Sequence, residues 1–303
     1  MIRQGTSYGI LLRAASALSF SLMTASMKWA SSLEPVSAGE MVFYRSLFGL
    51  PVVMIWILSR GDGLAAIKTK RPLVHLWRCA LGVTGILLIF EGLKHLTLAD
   101  ATTIGFTSPI FATLLSILFL SEKVGKHRWL AIALGFVGVV IVLRPGMEGA
   151  PSLVGLLFAL TGALFAASVT VTLRRLGRTE SATSIVFWFF IACCVVGGSI
   201  SLFNGHSHSL MGYAILAGGG LAGGVAQLLM TSSLRHASVS TLAPLDYLQM
   251  VGAVILGWSL FSDVPTAGTL TGAGLIAFSG LYTAWRERVR NREVTPPAPN
   301  TSV

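Results

Sequence analysis

Apolar residues run along this chain in ten stretches of roughly 20, the length that crosses a hydrocarbon core of about 30 Å, and charged residues gather in the short gaps between them. The stretches cover 8–31, 37–58, 72–93, 99–120, 127–144, 152–173, 183–203, 210–232, 239–261 and 267–285. The pattern predicts an all-α integral membrane protein of ten transmembrane helices, with no extramembrane domain.

Within that pattern the chain is written twice. A shift of about 142 positions lays Ala17, Leu18, Leu22, Ala25 and Ser26 over Ala159, Leu160, Leu164, Ala167 and Ser168. The same shift lays Gly82, Val83 and Leu87 over Gly224, Val225 and Leu229, and one residue of slippage adds Leu93-Lys94-His95 over Leu234-Arg235-His236. The copies run 8–144 and 152–285, joined by the Pro/Gly-rich linker from Arg144-Pro145-Gly146 to Pro151 and followed by a tail at 286–303. Five spans is an odd number, so the second copy enters from the opposite side. Two inverted five-helix repeats, related by a pseudo-two-fold axis in the membrane plane, are a secondary-transporter design with a shared site near the midplane.

Composition removes the soluble alternatives: 53% of the residues are hydrophobic and 11% charged, beyond any ordinary water-soluble domain. Sidedness follows from the cations. With a cytoplasmic N-terminus, the inner segments hold Arg3, Arg13, Arg60, Lys68, Lys70, Arg71, Arg78, Lys123, Lys126, Arg128, Arg174, Arg175, Arg178 and Arg235. They also hold Arg286, Arg288, Arg290 and Arg292, which leaves Lys28, Lys94 and Arg144 outside and Arg45 within a span. Both termini are then cytoplasmic. The formal charge of +10 reflects this bias and contact with anionic lipid, and calls for no nucleic acid. Arg3 precedes an apolar stretch as in a signal peptide, but that stretch is too long, contains Arg13 and lacks a cleavage site, so it reads as the first span. Cys79, Cys193 and Cys194 lack zinc-ligand spacing, no metal site is assigned to His206 and His208, and the tail with Thr295-Pro296-Pro297-Ala298-Pro299 reads as disordered.

Chemistry inside the spans narrows further. Glycines at helical spacing, densest at Gly218, Gly219, Gly220, Gly223 and Gly224, make small faces that let helix backbones approach. Pro109 in span four and Pro244 in span nine each free a carbonyl about one turn earlier, and are the hinge or kink candidates at the bundle centre. A charge at the centre of a span costs about 2.5–3.5 kcal/mol on insertion scales, so it faces protein or water. Arg45 lies roughly 12 Å below the external end of span two, and Asp246 about 10 Å from the cytoplasmic end of span nine. Arg45 reads either as a substrate ligand or as locked against Glu40 or Glu91. Glu91 and Lys94, three apart, share a face and read as a rim salt bridge or a ligand site. The residues assigned to the substrate site or cavity are Arg45, Tyr44, Glu91, Ser108, Gln227, Asp246, Tyr247 and Gln249. Asp246 and Glu91 are the candidates for proton coupling, Asp246 first because it is deeper and has no basic residue near it in its own span.

These residues resemble the EamA-type drug/metabolite transporters. The resemblance rests on Phe43-Tyr44-Arg45, on Leu96 through Gly146, on Ala237 to Pro265, and on Gly272, Gly280 and Leu281-Tyr282, with Asp263 where glutamate is usual. It implies ten helices around a central cavity and secondary active transport of small metabolites across the bacterial inner membrane, often export, by a monomer or homodimer. The substrates it suggests are amino acids and their derivatives, with branches that handle riboflavin, S-adenosylmethionine, nucleosides or amino-acid-derived metal chelators. An amino-acid-like solute fits Arg45, whose guanidinium grips a carboxylate in a fork. Uptake of a larger metabolite such as riboflavin or S-adenosylmethionine is the alternative. A membrane-embedded enzyme is disfavoured by the absence of HExxH or GxSxG arrangements, and no cofactor is implied. No Walker-type GxxxxGK[ST] loop is present, so nucleotide hydrolysis in this chain is not the driving force.

The cation bias makes the segments 60–71, 123–128 and 174–180 cytoplasmic. A Lys68→Cys variant in intact cells should therefore stay unlabelled by an impermeant thiol reagent and react once the membrane is opened. Labelling from outside reverses the orientation.

Overall fold

A computed structural model describes residues 2–59, 67–69, 71–120, 126–144, 150–176, 180–237 and 239–294. Glu122, the Pro145-Gly146 linker and the segment 295–303 lie outside the described residues. All regular structure among the described residues is helical. The elements are α1 (Ile2–Leu33), α2 (Ala38–Ser59), α3 (Pro72–His95), α4 (Leu98–Gly105), α5 (Ser108–Leu120) and α6 (Lys126–Leu143). They continue with α7 (Leu153–Leu176), α8 (Ala182–Asn204), α9 (Leu210–Ser233), α10 (Val239–Asp246), α11 (Leu248–Phe261) and α12 (Ala267–Val294).

Eight segments of the described residues are long and apolar enough to cross a membrane, with the α4–α5 pair and the α10–α11 pair each counting as one. Trp129–Leu143 of α6 is a shorter apolar helix. The last apolar run, expected to stop at 285, continues as helix to Val294, through a stretch rich in Arg and Glu, residues of high helix propensity.

Polar residues start and stop these helices. Ser37 and Glu40 form a reciprocal capping box on α2: the Glu40 backbone N–H donates to Ser37 Oγ at 3.2 Å, and the Ser37 N–H donates to Glu40 Oε2 at 2.8 Å. Thr97, Ser181 and Ser209 accept from the third residue beyond them at the starts of α4, α8 and α9. At the other end of α3 the Lys28 ammonium donates to the carbonyls of Leu93 and Leu96 at 3.2 and 2.5 Å, where the helix dipole favours a cation.

Two expected spans are each broken in the middle. In the first, Thr107 closes the break by donating from both its N–H and its hydroxyl to the Ile104 carbonyl, at 3.0 and 2.7 Å, immediately before Ser108-Pro109 begin α5. The hydroxyl thus supplies donors near the turn where proline removes one. In the second, α10 carries Pro244 and ends at Asp246, and Tyr247 separates it from α11.

The packing is paired. Helix α1 lies on α9 and α3 on α7; α6 lies on α12 and α2 on α8; α1 also runs along α10 and α11, as α7 does along α4 and α5. Glycine sets the closest of these contacts. A Cβ on Gly224 would stand 2.8 Å from the Gly49 carbonyl oxygen, and one on Gly220 would stand 2.7 Å from the Tyr44 carbonyl oxygen, so α2 and α9 touch backbone to backbone. The main core fills the space among α1, α2, α3, α8 and α9 with Met23, Met27, Met41, Val83, Phe90 and Leu216.

A matched pair of alanine substitutions checks this contact. Gly224→Ala should destabilise the detergent-solubilised protein by about 1–3 kcal/mol, because neither backbone can yield. Gly218→Ala, on the same helix with nothing within 4 Å, should be neutral or gain the helix propensity of alanine. Equal melting temperatures for the two variants contradict the close approach.

Candidate functional site

The two broken helices meet. Phe106 at the first break and Tyr247 at the second stack with ring centroids 4.9 Å apart. A cavity of about 380 Å³ opens beside them, lined by Ser108 and Pro109 of α5, Pro244 and Asp246 of α10, Gly280 and Thr283 of α12, Thr170 of α7 and Arg13 of α1. That volume falls in the range of small-molecule sites, and its mixture of apolar wall and few polar groups is typical of them.

Its charged element is an ion pair. Arg13 Nε lies 2.5 Å from Asp246 Oδ1 and Nη2 lies 2.6 Å from Oδ2, the two-point fork that guanidinium and carboxylate make best. The side chain of Arg13 is 14% exposed and that of Asp246 35%, so the carboxylate stays reachable from the cavity. The expectation that Asp246 has no basic neighbour holds only along its own helix. The fold brings Arg13 to it from the first helix, because α1 packs along α10 and α11.

Of the residues assigned from sequence, the cavity gathers Ser108, Pro109, Pro244, Asp246 and Tyr247. Gln227 and Gln249 are half-buried, the Gln249 carbonyl accepting from Ser21 Oγ at 3.0 Å and that of Gln227 from Thr231 Oγ1 at 2.8 Å. Glu91 sits in a rim cluster, 2.9 Å from Lys94 Nζ and 3.4 Å from His95 Nε2. Tyr44 packs edge-on to Tyr213 at 5.8 Å and to His208 at 6.2 Å.

Arg45 is elsewhere too. It is buried among α1, α2, α8 and α9, its Nε donating to Met23 Sδ at 3.1 Å and its guanidinium carbon 5.4 Å from the Phe190 ring centroid. The alternative that it is locked against Glu40 or Glu91 is overturned, since both carboxylates are engaged at the rim. Glu40 accepts from the N–H of His206 at 2.8 Å and lies 2.9 Å from His208 Nε2, while His208 Nδ1 lies 3.1 Å from Glu34. This ties the α1–α2 connection to the α8–α9 connection. Hydrogen bonding from Ser209 holds the Glu34 carboxyl below the usual carboxylate range. No group of three metal-ligating side chains occurs among the described residues.

Sequence reasoning missed Arg13 as a cavity residue and Arg78 as a buried one because both were counted as cytoplasmic-side cations. The signal was available: each lies several residues inside an apolar run, where an ionisable side chain is a functional candidate by default. In the structure Arg78 is buried on α3, with its guanidinium carbon 4.2 Å from the Phe189 ring centroid.

The EamA-like transporter family matches the chain twice, over residues 7–144 and 153–285. The riboflavin transporter of Rhizobium johnstonii is 30% identical over 292 residues, which cover 94% of this chain and 93% of that protein. The pseudopaline exporter CntI of Pseudomonas aeruginosa strain PAO1 is 29% identical over 270 residues, 88% of this chain and 93% of that one. The S-adenosylmethionine uptake transporter of Rickettsia bellii is 28% identical over 249 residues, 82% and 84% of the respective chains. A crystal structure of a protein 17% identical in sequence has a TM-score of 0.67, over 95% of this chain and 99% of its own, a likeness of fold. An all-helical bundle with apolar spans, a cavity of solute size and a family match over both halves lead to one assignment: the chain belongs to the EamA-like transporter family.

Proposed function

We propose that the protein is a secondary transporter that moves a small polar, amino-acid-like or amino-acid-derived metabolite across the bacterial inner membrane, with export favoured. The observation that carries the reading is the Arg13–Asp246 pair in a cavity where two broken helices meet. Interrupted helices that abut a cavity near the middle of a bundle are how transporters present polar groups to a solute. The second reading, uptake of a larger metabolite, is favoured by relatives whose names are riboflavin transporter and S-adenosylmethionine uptake transporter.

The proposed frame is ten spans in two inverted five-helix repeats with both termini cytoplasmic, complete within a monomer or each half of a homodimer. Support comes from the paired packing, in which exchanging the two halves turns α1 on α9 into α7 on α3 and returns α2 on α8 and α6 on α12 to themselves. The double family match supports it as well.

Proton coupling would act through Asp246. Its facing charged and titratable groups are Arg13 from α1 and its own neighbour Tyr247. Protonation of the carboxylate removes the charge that holds Arg13, and the freed guanidinium then offers its fork to a carboxylate on the solute. Glu91, in the rim cluster and outside the cavity, is the secondary candidate.

In proteoliposomes with an imposed pH gradient, Asp246→Asn should retain substrate binding and exchange but lose gradient-driven accumulation. Wild-type protein that moves solute equally fast with and without the gradient excludes proton coupling.

Arg45→Ala should lower uptake of radiolabelled amino acids into vesicles from outside the Arg13–Asp246 cavity, because it empties a buried position among α1, α2, α8 and α9, while Arg290→Ala in the basic C-terminal run leaves uptake intact. Lysine at position 45 should rescue poorly for want of the planar fork. Normal transport by inserted Arg45→Ala removes Arg45 from the transport reading.

A further inference from the structure

Two buried arginines converge on one aromatic ring, with no counter-charge between them among the described residues. Arg45 is 4% exposed and Arg78 is 8% exposed. Their guanidinium carbons lie 5.9 and 4.2 Å from the Phe189 ring centroid, so the two are no farther apart than the sum of those distances. Counted from the starts of their helices, Arg45 is about 10 Å along α2 and Arg78 about 9 Å along α3, at 1.5 Å per residue. Consecutive spans run in opposite directions, so the side chains reach the ring from opposite ends of the bundle and meet in its interior.

The contacts they make leave their chemistry unfinished. The Phe189 and Phe190 rings attract the guanidinium charge but offer no acceptor to the N–H donors. Arg45 Nη1, Arg78 Nε and Arg78 Nη1 are buried with no hydrogen-bond acceptor among the described residues. No carboxylate of a described residue forms an ion pair with either arginine; the nearest acidic pair along α3 is Glu180 on His75, at 3.5 Å. The cluster is closely packed on its glycine sides. A Cβ on Gly82 would stand 2.8 Å from Phe189 Cε2 and 3.4 Å from Arg78 Nη1, and one on Gly223 would stand 2.7 Å from Met23 Sδ, the atom that accepts from Arg45. Burying two like charges side by side is unfavourable unless something of opposite sign joins them.

We propose that Arg45 and Arg78 form a site for a doubly charged oxyanion, either two carboxylates on one solute or a doubly ionised phosphate, with Phe189 as its floor. The site lies apart from the Arg13–Asp246 cavity, since neither arginine lines that cavity. It deepens the transport reading by setting the charge class of the solute, and rests on that reading only for where the solute goes. Each guanidinium supplies one unit of the required charge, so a monoanion satisfies half of the site. One charge-assisted contact is worth roughly a tenfold to hundredfold change in affinity.

The test is equilibrium binding of radiolabelled succinate, inorganic phosphate and butyrate to the full chain in lipid nanodiscs. Wild-type protein should bind succinate or phosphate at least about tenfold more tightly than butyrate, and the stronger of the two arms identifies the oxyanion. Arg78→Gln should lose that preference while butyrate binding stays within about twofold, a result that a packing role for Arg78 does not produce. Arg78→Lys keeps the charge and should keep the order with weaker binding, which leaves the idea testable even if the glutamine variant does not fold. Wild-type protein that binds all three probes alike, or an Arg78→Gln variant that keeps the preference, overturns the proposal. Neither result depends on the pH gradient or on amino-acid uptake, so a failure of the transport reading registers separately.

Discussion

A polar group surrounded by hydrocarbon has no water to fall back on, so its partner has to come from the protein itself. That constraint accounts for most of the side-chain chemistry in this bundle. Lys28 spends its charge on the open carbonyls at the end of α3. Thr107 turns its hydroxyl back onto Ile104 where the chain breaks. Asp100 accepts from Thr97 and Thr269 at 2.8 and 2.7 Å, with Arg144 3.9 Å away. Against this background, donors of Arg45 and Arg78 stand buried without an acceptor among the described residues, as do polar atoms of Ser46 and His75.

Close packing obeys a related constraint. Lipid tails and leucine side chains are alike to a helix, so apolarity alone does not bring two spans together. Here glycines do it by removing the side chain from the contact, at Gly49 with Gly220 and Gly224, at Gly39 with Gly197, and at Gly138 with Gly272. Because α2 is held by both α8 and α9, the backbone that carries Arg45 is fixed from two sides. A guanidinium on so rigid a mount has little freedom to find another partner.

Runs of apolar residues made the helices legible from sequence, since length and hydrophobicity are local properties. The glycine-rich face of α9 was legible for the same reason. What local pattern could not reveal was which helices become neighbours. Asp246 looked uncompensated because its cation lies on α1, and Arg13 and Arg78 looked like sidedness signals because the same residue type serves topology and chemistry. Arg45 was placed within a span by its position, but its company of Met23, Phe189 and Phe190 depends on tertiary packing with no counterpart in spacing. Pro109 and Pro244 announced discontinuities; that the two breaks would touch was beyond anything their positions encoded.

That touch has a mechanical consequence. Phe106 and Tyr247 are rigid plates pressed together, one from each half of the chain, and both border the open cavity. The Tyr247 hydroxyl is also seated against Gly280 of α12, where even a methyl group would collide with it. A tilt of α4 toward α10 is passed on through the ring pair, and a tilt of α10 toward α12 through the Tyr247 hydroxyl, so the two discontinuities bear on each other wherever the cavity gives no room.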